Sequence, residues 1–259
     1  MATSSVSSAS PAAASAAPAS PAALVVVSGG SQGIGRALVG AFLEAGFAVA
    51  TCARQAADLA RLSQEMAGRF PQAALHTLPA DLSEHAGCQR FADFVLGLGL
   101  PLAALIHNAG AYQPGRFQDE PADGSALRAS LAANLLSAYD LTRALLPTLL
   151  GQQRGHVFTI CSTASIMAYP NGGSYGVAKF ALLGFTKSLR EEVKHQGLRV
   201  TAVLPGATLT RSWAGVEAPP ERFIAPEDVA AAVLSAFRMS PQTVVEEILI
   251  RPQLGDFAG

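Results

Sequence analysis

Charge is scarce in this sequence. Only 14% of its 259 residues are Asp, Glu, Lys or Arg, and the 18 basic and 19 acidic side chains almost cancel. A net charge near −1, with no Lys/Arg-rich run, offers no field to draw in a polyanion, so no nucleic-acid partner is expected. Cysteine is scarcer still. Cys52, Cys88 and Cys161 are odd in number, far apart and form no CxxC pair, which speaks against a disulfide framework and a zinc site and for a reducing cytoplasm. His76, His85, His107, His156 and His195 show no ligand spacing either, so no metal is expected. No apolar run reaches the roughly 20 residues of a spanning helix, and no membrane partner is expected.

Large side chains are missing from residues 1–23, built only from Ala, Ser, Pro, Thr, Val and the initiator Met. Ordering such a tail would cost conformational entropy with little burial in return, so it is expected to be disordered. It lacks the basic and long apolar regions of a signal peptide and the arginines of a mitochondrial presequence, and plastid targeting stays a lesser alternative.

What is present is apolar: half of all residues, enough for a large core. From Leu24 onward, short apolar runs alternate with longer amphipathic stretches, the signature of βαβ units on a parallel sheet. Seven runs predict strands at Leu24–Ser28, Phe47–Cys52, Ala74–Leu78, Leu102–His107, Gly155–Cys161, Leu198–Leu204 and Val245–Ile250. Several are apolar on both faces, as strands sandwiched between helices should be. Helices are predicted at Gly33–Ala45, Ala56–Gly68, Ser83–Gly97, Gly124–Leu150, Ser174–Gln196 and Pro226–Phe237. Asp81 and Ser83 offer N-cap oxygens, Gly46 and Gly197 stand where helices stop, and Pro226 suits a first turn. With no linker after residue 23, residues 24–259 read as one α/β domain, doubly wound around a single seven-stranded parallel sheet with helices on both faces.

Four motifs carry chemistry. The first strand ends in Ser28-Gly29-Gly30-Ser31-Gln32-Gly33-Ile34-Gly35, directly before a helix. A glycine turn there lets the backbone approach a pyrophosphate while the helix N-terminus supplies donors; an ordinary tight turn is the alternative. Asn108-Ala109-Gly110 follows the fourth strand. Ser162 ends the fifth, at the carboxyl edge where open α/β sheets bind ligands, and a turn or cap serine is its plainer reading. Tyr175 and Lys179 lie four apart, on one face of a helix, so a phenol and an ammonium can share a cleft; a cation near the phenol favours phenolate and makes a general acid/base.

The spacing GxxxGxG at Gly29, Gly33 and Gly35, with Asn108-Ala109-Gly110, Ser162 and Tyr175-x-x-x-Lys179 thirteen residues later, resembles the short-chain dehydrogenase/reductases over roughly Leu24 to Ile250. That resemblance implies a Rossmann-like fold and a catalytic set of Asn134, Ser162, Tyr175 and Lys179. It has Asn134 bend its helix and maintain a proton path, Ser162 orient a carbonyl, and Lys179 lower the Tyr175 pKa and bind the nicotinamide ribose. It further implies cofactor contacts from Ser31, Gln32 and Ile34 of the glycine turn, from Asp81 and Leu82 near the adenine, and from Pro205, Gly206, Thr208 and Thr210 near the nicotinamide. A homotetramer or homodimer built on the fourth and fifth long helices follows from the same likeness.

No acid ends the second strand; Arg54 stands there instead, and the first acid, Asp58, falls inside the next helix. An arginine at that place accommodates a 2′-phosphate where an acid would repel it, so NADP is the expected cofactor and NAD the lesser alternative. Gln32 departs from this pattern, since many NADP-preferring relatives are basic there. Two further departures are Ser28 for threonine and His107 for asparagine; His107 is expected to be structural. The expected reaction is reversible hydride transfer between NADP(H) and a ketone or aldehyde, 3-oxoacyl-reductase-like, with Tyr175 as proton donor. The alternative is a nucleotide-binding regulator or redox sensor on the same fold. Residues 211–225 are expected to cover the substrate, with Trp213, Val216 and Phe223 favouring an apolar or acyl-like ligand.

Overall fold

A computed structural model describes residues 23–213, 215 and 218–255; the expected disordered tail, apart from Ala23, and Val216 lie outside them. The strands are β1 (Leu24–Ser28), β2 (Ala48–Ala53), β3 (Leu75–Pro79), β4 (Leu102–His107), β5 (Gly155–Ile160), β6 (Leu198–Pro205) and β7 (Glu247–Ile250). They form one sheet in the order β3-β2-β1-β4-β5-β6-β7, with every pairing parallel. The helices are α1 (Gly33–Glu44), α2 (Ala56–Arg69), α3 (His85–Gly97), α4 (Ser125–Leu131), α5 (Ser137–Gln152), α6 (Gly173–Val193) and α7 (Pro226–Phe237).

The doubly apolar strands have a direct cause. Leu24 and Val26 of β1 pack with Phe91, Leu141, Leu145 and Leu189 of α3, α5 and α6, whereas Val25 and Val27 pack on the opposite face with Leu38, Phe42, Val229 and Val233 of α1 and α7. Each such side chain, fully removed from water, contributes about 1.5–3 kcal/mol. On the α1/α7 face, Phe42, Phe47 and Phe237 make three edge-on ring contacts with centroids 5.3–5.9 Å apart. From β1 the chain winds outward to β2 and β3 on one side and to β4 on the other, so a crevice opens over the carboxyl ends of β1 and β4, where ligands of such sheets bind.

Three predicted boundaries need correction. The helix expected over 124–150 is divided: between α4 and α5 lies a π-helical turn, Ala132–Leu136. Its cause is Asn134, whose amide takes up the Ser130 carbonyl and a neighbouring loop at the same time. The helix expected from Ser83 starts two residues later, because Asp81 Oδ1 accepts from both Ser83 N (3.0 Å) and Ser83 Oγ (2.7 Å) and holds a turn; neither residue caps α3. The helix expected to Gln196 ends at Val193 and tightens into a single turn, Lys194–Gln196, stopped at Gly197 with φ of 79°.

Candidate active site

The ends of β1 and β4 are sewn together by side chains the motifs named. Ser28 Oγ accepts from the backbone N–H groups of Asn108 and Ala109, both at 3.0 Å, and Asn108 Nδ2 donates to the carbonyls of Ser28 (3.1 Å) and Gly29 (2.9 Å). The missing threonine methyl at Ser28 leaves this network intact. Gly29 sits at φ of 69°, where a Cβ would come 2.9 Å from the Ala109 Cα, so only glycine fits without strain. Beneath the turn, Thr51 Oγ1 accepts from Gly30 N (3.0 Å) and donates to the Val27 carbonyl (2.6 Å). In the sequence, the only signal of Thr51 is its position inside an apolar strand. The turn runs into α1, whose N-terminus carries no side-chain cap and no acid, and Gly33 and Ile34 line the cleft. Gly35 lies behind the lining: a Cβ there would overlap Gly29 O and Asn108 Nδ2, so this glycine permits helix and turn to close up.

The cleft that follows holds about 970 Å³. Its walls include, from one end to the other, Arg54, Asp81 and Leu82, then Gly29, Ser31, Gln32 and Gly33, Asn108, Ala109 and Gly110, and finally Asn134, Ser162, Tyr175, Lys179, Pro205, Gly206, Thr208 and Thr210. Thus every expected site residue except Gly35 reaches one cavity. Asp58 also lines it, held by Gln32 Nε2 at 2.9 Å and paired with Arg61. Asp81 lies well below the usual carboxylate range, chiefly through the Ser83 hydroxyl, with Arg54 adding a charge contribution.

Lys179 is buried and its Nζ donates to the Ile160 carbonyl at 3.0 Å, at the end of β5. Burial pushes its pKa down to about 8 and that of Tyr175 up to about 12, with a hydrogen bond from Ser162 pulling Tyr175 the other way. Lys179 Nζ stands 5.8 Å from the phenol's ring centroid, and desolvation is the chief influence on the phenol. Ser162 lines the cleft and also has its plainer role in a turn. It opens a short turn at Thr163–Ser165, accepting from Ala164 N (3.1 Å), while its own N–H donates to Ser165 Oγ (3.2 Å). Asn134 Nδ2 donates to Ala111 O and Ser130 O, both at 3.0 Å, and its Oδ1 accepts from Ala111 N at 3.3 Å. The π turn thus ties α4 to the loop after Gly110.

Around Tyr175 the structure adds residues the motifs had not named. Tyr112 meets Tyr175 edge-on at 4.9 Å, and its ring lies nearly parallel to Trp213, at 19° and 6.4 Å. Tyr169 closes the same wall. Phe223 does not line the cleft as expected; it backs Trp213 at 5.4 Å. Glu120 accepts from Ser174 N (2.8 Å) and Ser174 Oγ (2.5 Å), one residue before Tyr175. Tyr112, two residues past Asn-Ala-Gly, could have been suspected from its place; Glu120 and Tyr169 carried no signal. His107 is structural, as expected: fully buried, bonded through Nε2 to Thr142 Oγ1 at 2.7 Å, with its pKa pushed down to about 3 by desolvation.

Comparison with known proteins agrees with this geometry. The short chain dehydrogenase family model matches residues 23–220. A sepiapterin reductase of Chlorobaculum tepidum is 31% identical over 241 residues, which is 90% of this chain and 97% of that protein. The L-fucose dehydrogenase of Mus musculus is 30% identical over 190 residues, covering 73% of this chain and 67% of the relative. Among solved structures, a metagenomic short-chain oxidoreductase in complex with NADP superposes with a TM-score of 0.76 at 28% identity, over 89% of this chain and 97% of that one. With the match spanning most of the chain and the cleft built from the family's motifs, the protein belongs to the short-chain dehydrogenases and is an oxidoreductase of that family.

Proposed function

We propose that the protein is an NADP(H)-dependent carbonyl reductase, working reversibly as an alcohol dehydrogenase. The observation that carries this reading is the convergence of Ser162, Tyr175 and Lys179 at one end of a cleft whose other end is the glycine turn and Arg54. The residues fit a dinucleotide. The turn leaves backbone exposed beside an uncapped helix N-terminus, suited to a pyrophosphate. Arg54, Asp81 and Leu82 would hold the adenosine end, and Gly206, Thr208 and Thr210 the nicotinamide end. Asp58, the first acid after Arg54 in the sequence, is already engaged by Gln32 and Arg61, which supports a 2′-phosphate at Arg54. NADP in the related metagenomic structure, and in that of Pseudomonas aeruginosa RhlG at 26% identity and a TM-score of 0.79, points the same way.

When bound, the reduced nicotinamide supplies the hydride. The chain's own residues then position and protonate. Ser162 and Tyr175 hold the substrate oxygen between two hydroxyls. Desolvation raises the Tyr175 phenol above its ordinary value, so it carries the proton that the oxygen requires, which suits the reducing direction. Lys179, fixed by Ile160, stands behind the phenol, and Asn134 fixes the wall beside them. The relatives named for sepiapterin and for L-fucose differ too much in substrate to choose one for this chain. The three free, buried thiols, Cys52, Cys88 and Cys161, fit a reducing cytoplasm; no described helix is long and apolar enough to cross a membrane.

NADPH oxidation with a panel of ketones and aldehydes tests the proposal. Wild type should turn over members of the panel, and Tyr175→Phe should lose about a hundred- to ten-thousandfold in kcat while binding NADPH almost normally. A variant keeping more than about a tenth of the activity, far outside that range, would mean another acid serves.

A further inference from the structure

We infer that the substrate of this site is an uncharged carbonyl compound bearing an aromatic ring, with the ring against Tyr112 and Trp213 and the carbonyl oxygen between Ser162 and Tyr175. The inference rests on the reductase reading and narrows it. Three of the chain's four tyrosines and its single tryptophan gather at this end of the cleft: Tyr112, Tyr169, Tyr175 and Trp213. Met167 and Pro170 complete that wall, and none of these six side chains carries a charge. Arg211, next to Trp213, also lines the neighbouring hollow with Gln32 and Arg36, on the side of the glycine turn. These six side chains offer no cation to a carboxylate or phosphate. A polyhydroxylated substrate would meet mostly ring faces and edges along this wall. Hydroxyls left unpaired in such a site oppose binding.

Geometry separates a flat ring from a flexible acyl chain. The faces of Tyr112 and Trp213 are 19° apart, and both rings are held in place, Tyr112 by its edge contact with Tyr175 and Trp213 by Phe223 behind it. A planar ring gains stacking against such surfaces beyond what burial alone supplies, whereas a saturated group of the same size gains burial only. An acyl chain would also have to give up rotamer freedom to lie flat. In the reaction the carbonyl carbon gains a hydride, a proton with two electrons, from reduced nicotinamide. The carbonyl π bond opens, and its oxygen gains the proton of the Tyr175 phenol. The products are a secondary alcohol from a ketone, or a primary one from an aldehyde, together with oxidised nicotinamide and a phenolate that solvent reprotonates.

The test compares benzylacetone with its ring-saturated analogue, in which two methylenes insulate the carbonyl so that intrinsic reactivity is matched. With NADPH and the full chain, kcat/KM should favour benzylacetone by about tenfold, and Tyr112→Leu or Trp213→Leu should each compress that ratio to within about threefold. Should one variant fail to fold, the other makes the same comparison. Equal or faster turnover of the saturated ketone, or a ratio that survives both substitutions, overturns the inference. Calorimetric titration of the NADP-loaded chain with both ketones separates the two readings. Tighter binding of benzylacetone without any turnover sinks the reductase reading and keeps the aromatic site; equal affinities sink the aromatic site.

Discussion

At the scale of single residues, Arg54 bears the choice of cofactor. It is exposed at the end of β2 and lines the cleft. If its guanidinium clamps a 2′-phosphate, Arg54→Ala removes a charge-assisted contact of about 1.5–3 kcal/mol, a roughly ten- to hundredfold weaker NADPH complex. NADH binding should scarcely change. Fluorescence titration of both cofactors decides the matter, and equal effects on the two return Arg54 to solvent. Lys179 makes a different prediction. Its folded pKa of about 8 lies below the ordinary 10.5, so between those values the unfolded chain binds more protons than the folded one. Stability from this group therefore rises with pH across that window. Tyr175 acts oppositely, raised from 10 to about 12, so it lowers stability only above pH 10. Between pH 8 and 10 the unfolding free energy of wild type should climb relative to that of Lys179→Met, measured by urea titration; a flat difference would remove the burial argument for this lysine.

At the scale of elements, the N-terminus of α6 is where position matters most, because Tyr175 stands in its first turn. That end is tied to the loop after β4 at several points. Glu120 accepts twice from Ser174, Arg116 donates to Asn171 Oδ1 at 3.0 Å, Gly115 N donates to Asn171 O at 3.0 Å, and Tyr112 abuts Tyr175. Glu120→Ala should loosen this clamp. A shift of the phenol by a fraction of an ångström is expected to lower kcat on the order of tenfold. Glu120→Gln, whose amide can still accept from the N–H and donate to the hydroxyl, should recover most of it, and NADPH affinity should hold in both. Gly35→Ala is the corresponding test of α1. Its Cβ would overlap the Gly29 carbonyl and the Asn108 amide bonded to it, so a loss of about 1–3 kcal/mol is expected in chemical denaturation, together with weaker cofactor binding.

At the scale of the whole molecule, we propose that the chain self-associates through α5, α6 and the end of the π turn before α5. Leu136, Tyr139, Val177 and Phe180 are 43–47% exposed there, an apolar group that a monomer would leave in water. Light scattering at micromolar concentration should give the mass of a dimer or tetramer for wild type and of a monomer for Val177→Glu/Phe180→Glu; an unchanged mass would move the interface elsewhere.

The sequence by itself determined the strands, their parallel pairing and most of the cleft. Apolar runs set the period of each element, and the glycine turn, Asn108-Ala109-Gly110, Ser162 and Tyr175-x-x-x-Lys179 are local patterns whose spacing survives in one dimension. The bend at Asn134 was legible only through the family likeness, because its cause is a bond to Ala111, a residue 23 positions away. Nor did the sequence reveal Thr51 under Gly30, Glu120 on Ser174, or the facing of Tyr112 and Trp213. Each depends on two segments that meet only after the sheet has formed. The protonation of Tyr175 was decided in the same way. Four residues of helix bring Lys179 near it, but the upward shift of the phenol comes chiefly from desolvation, a property of the packed molecule.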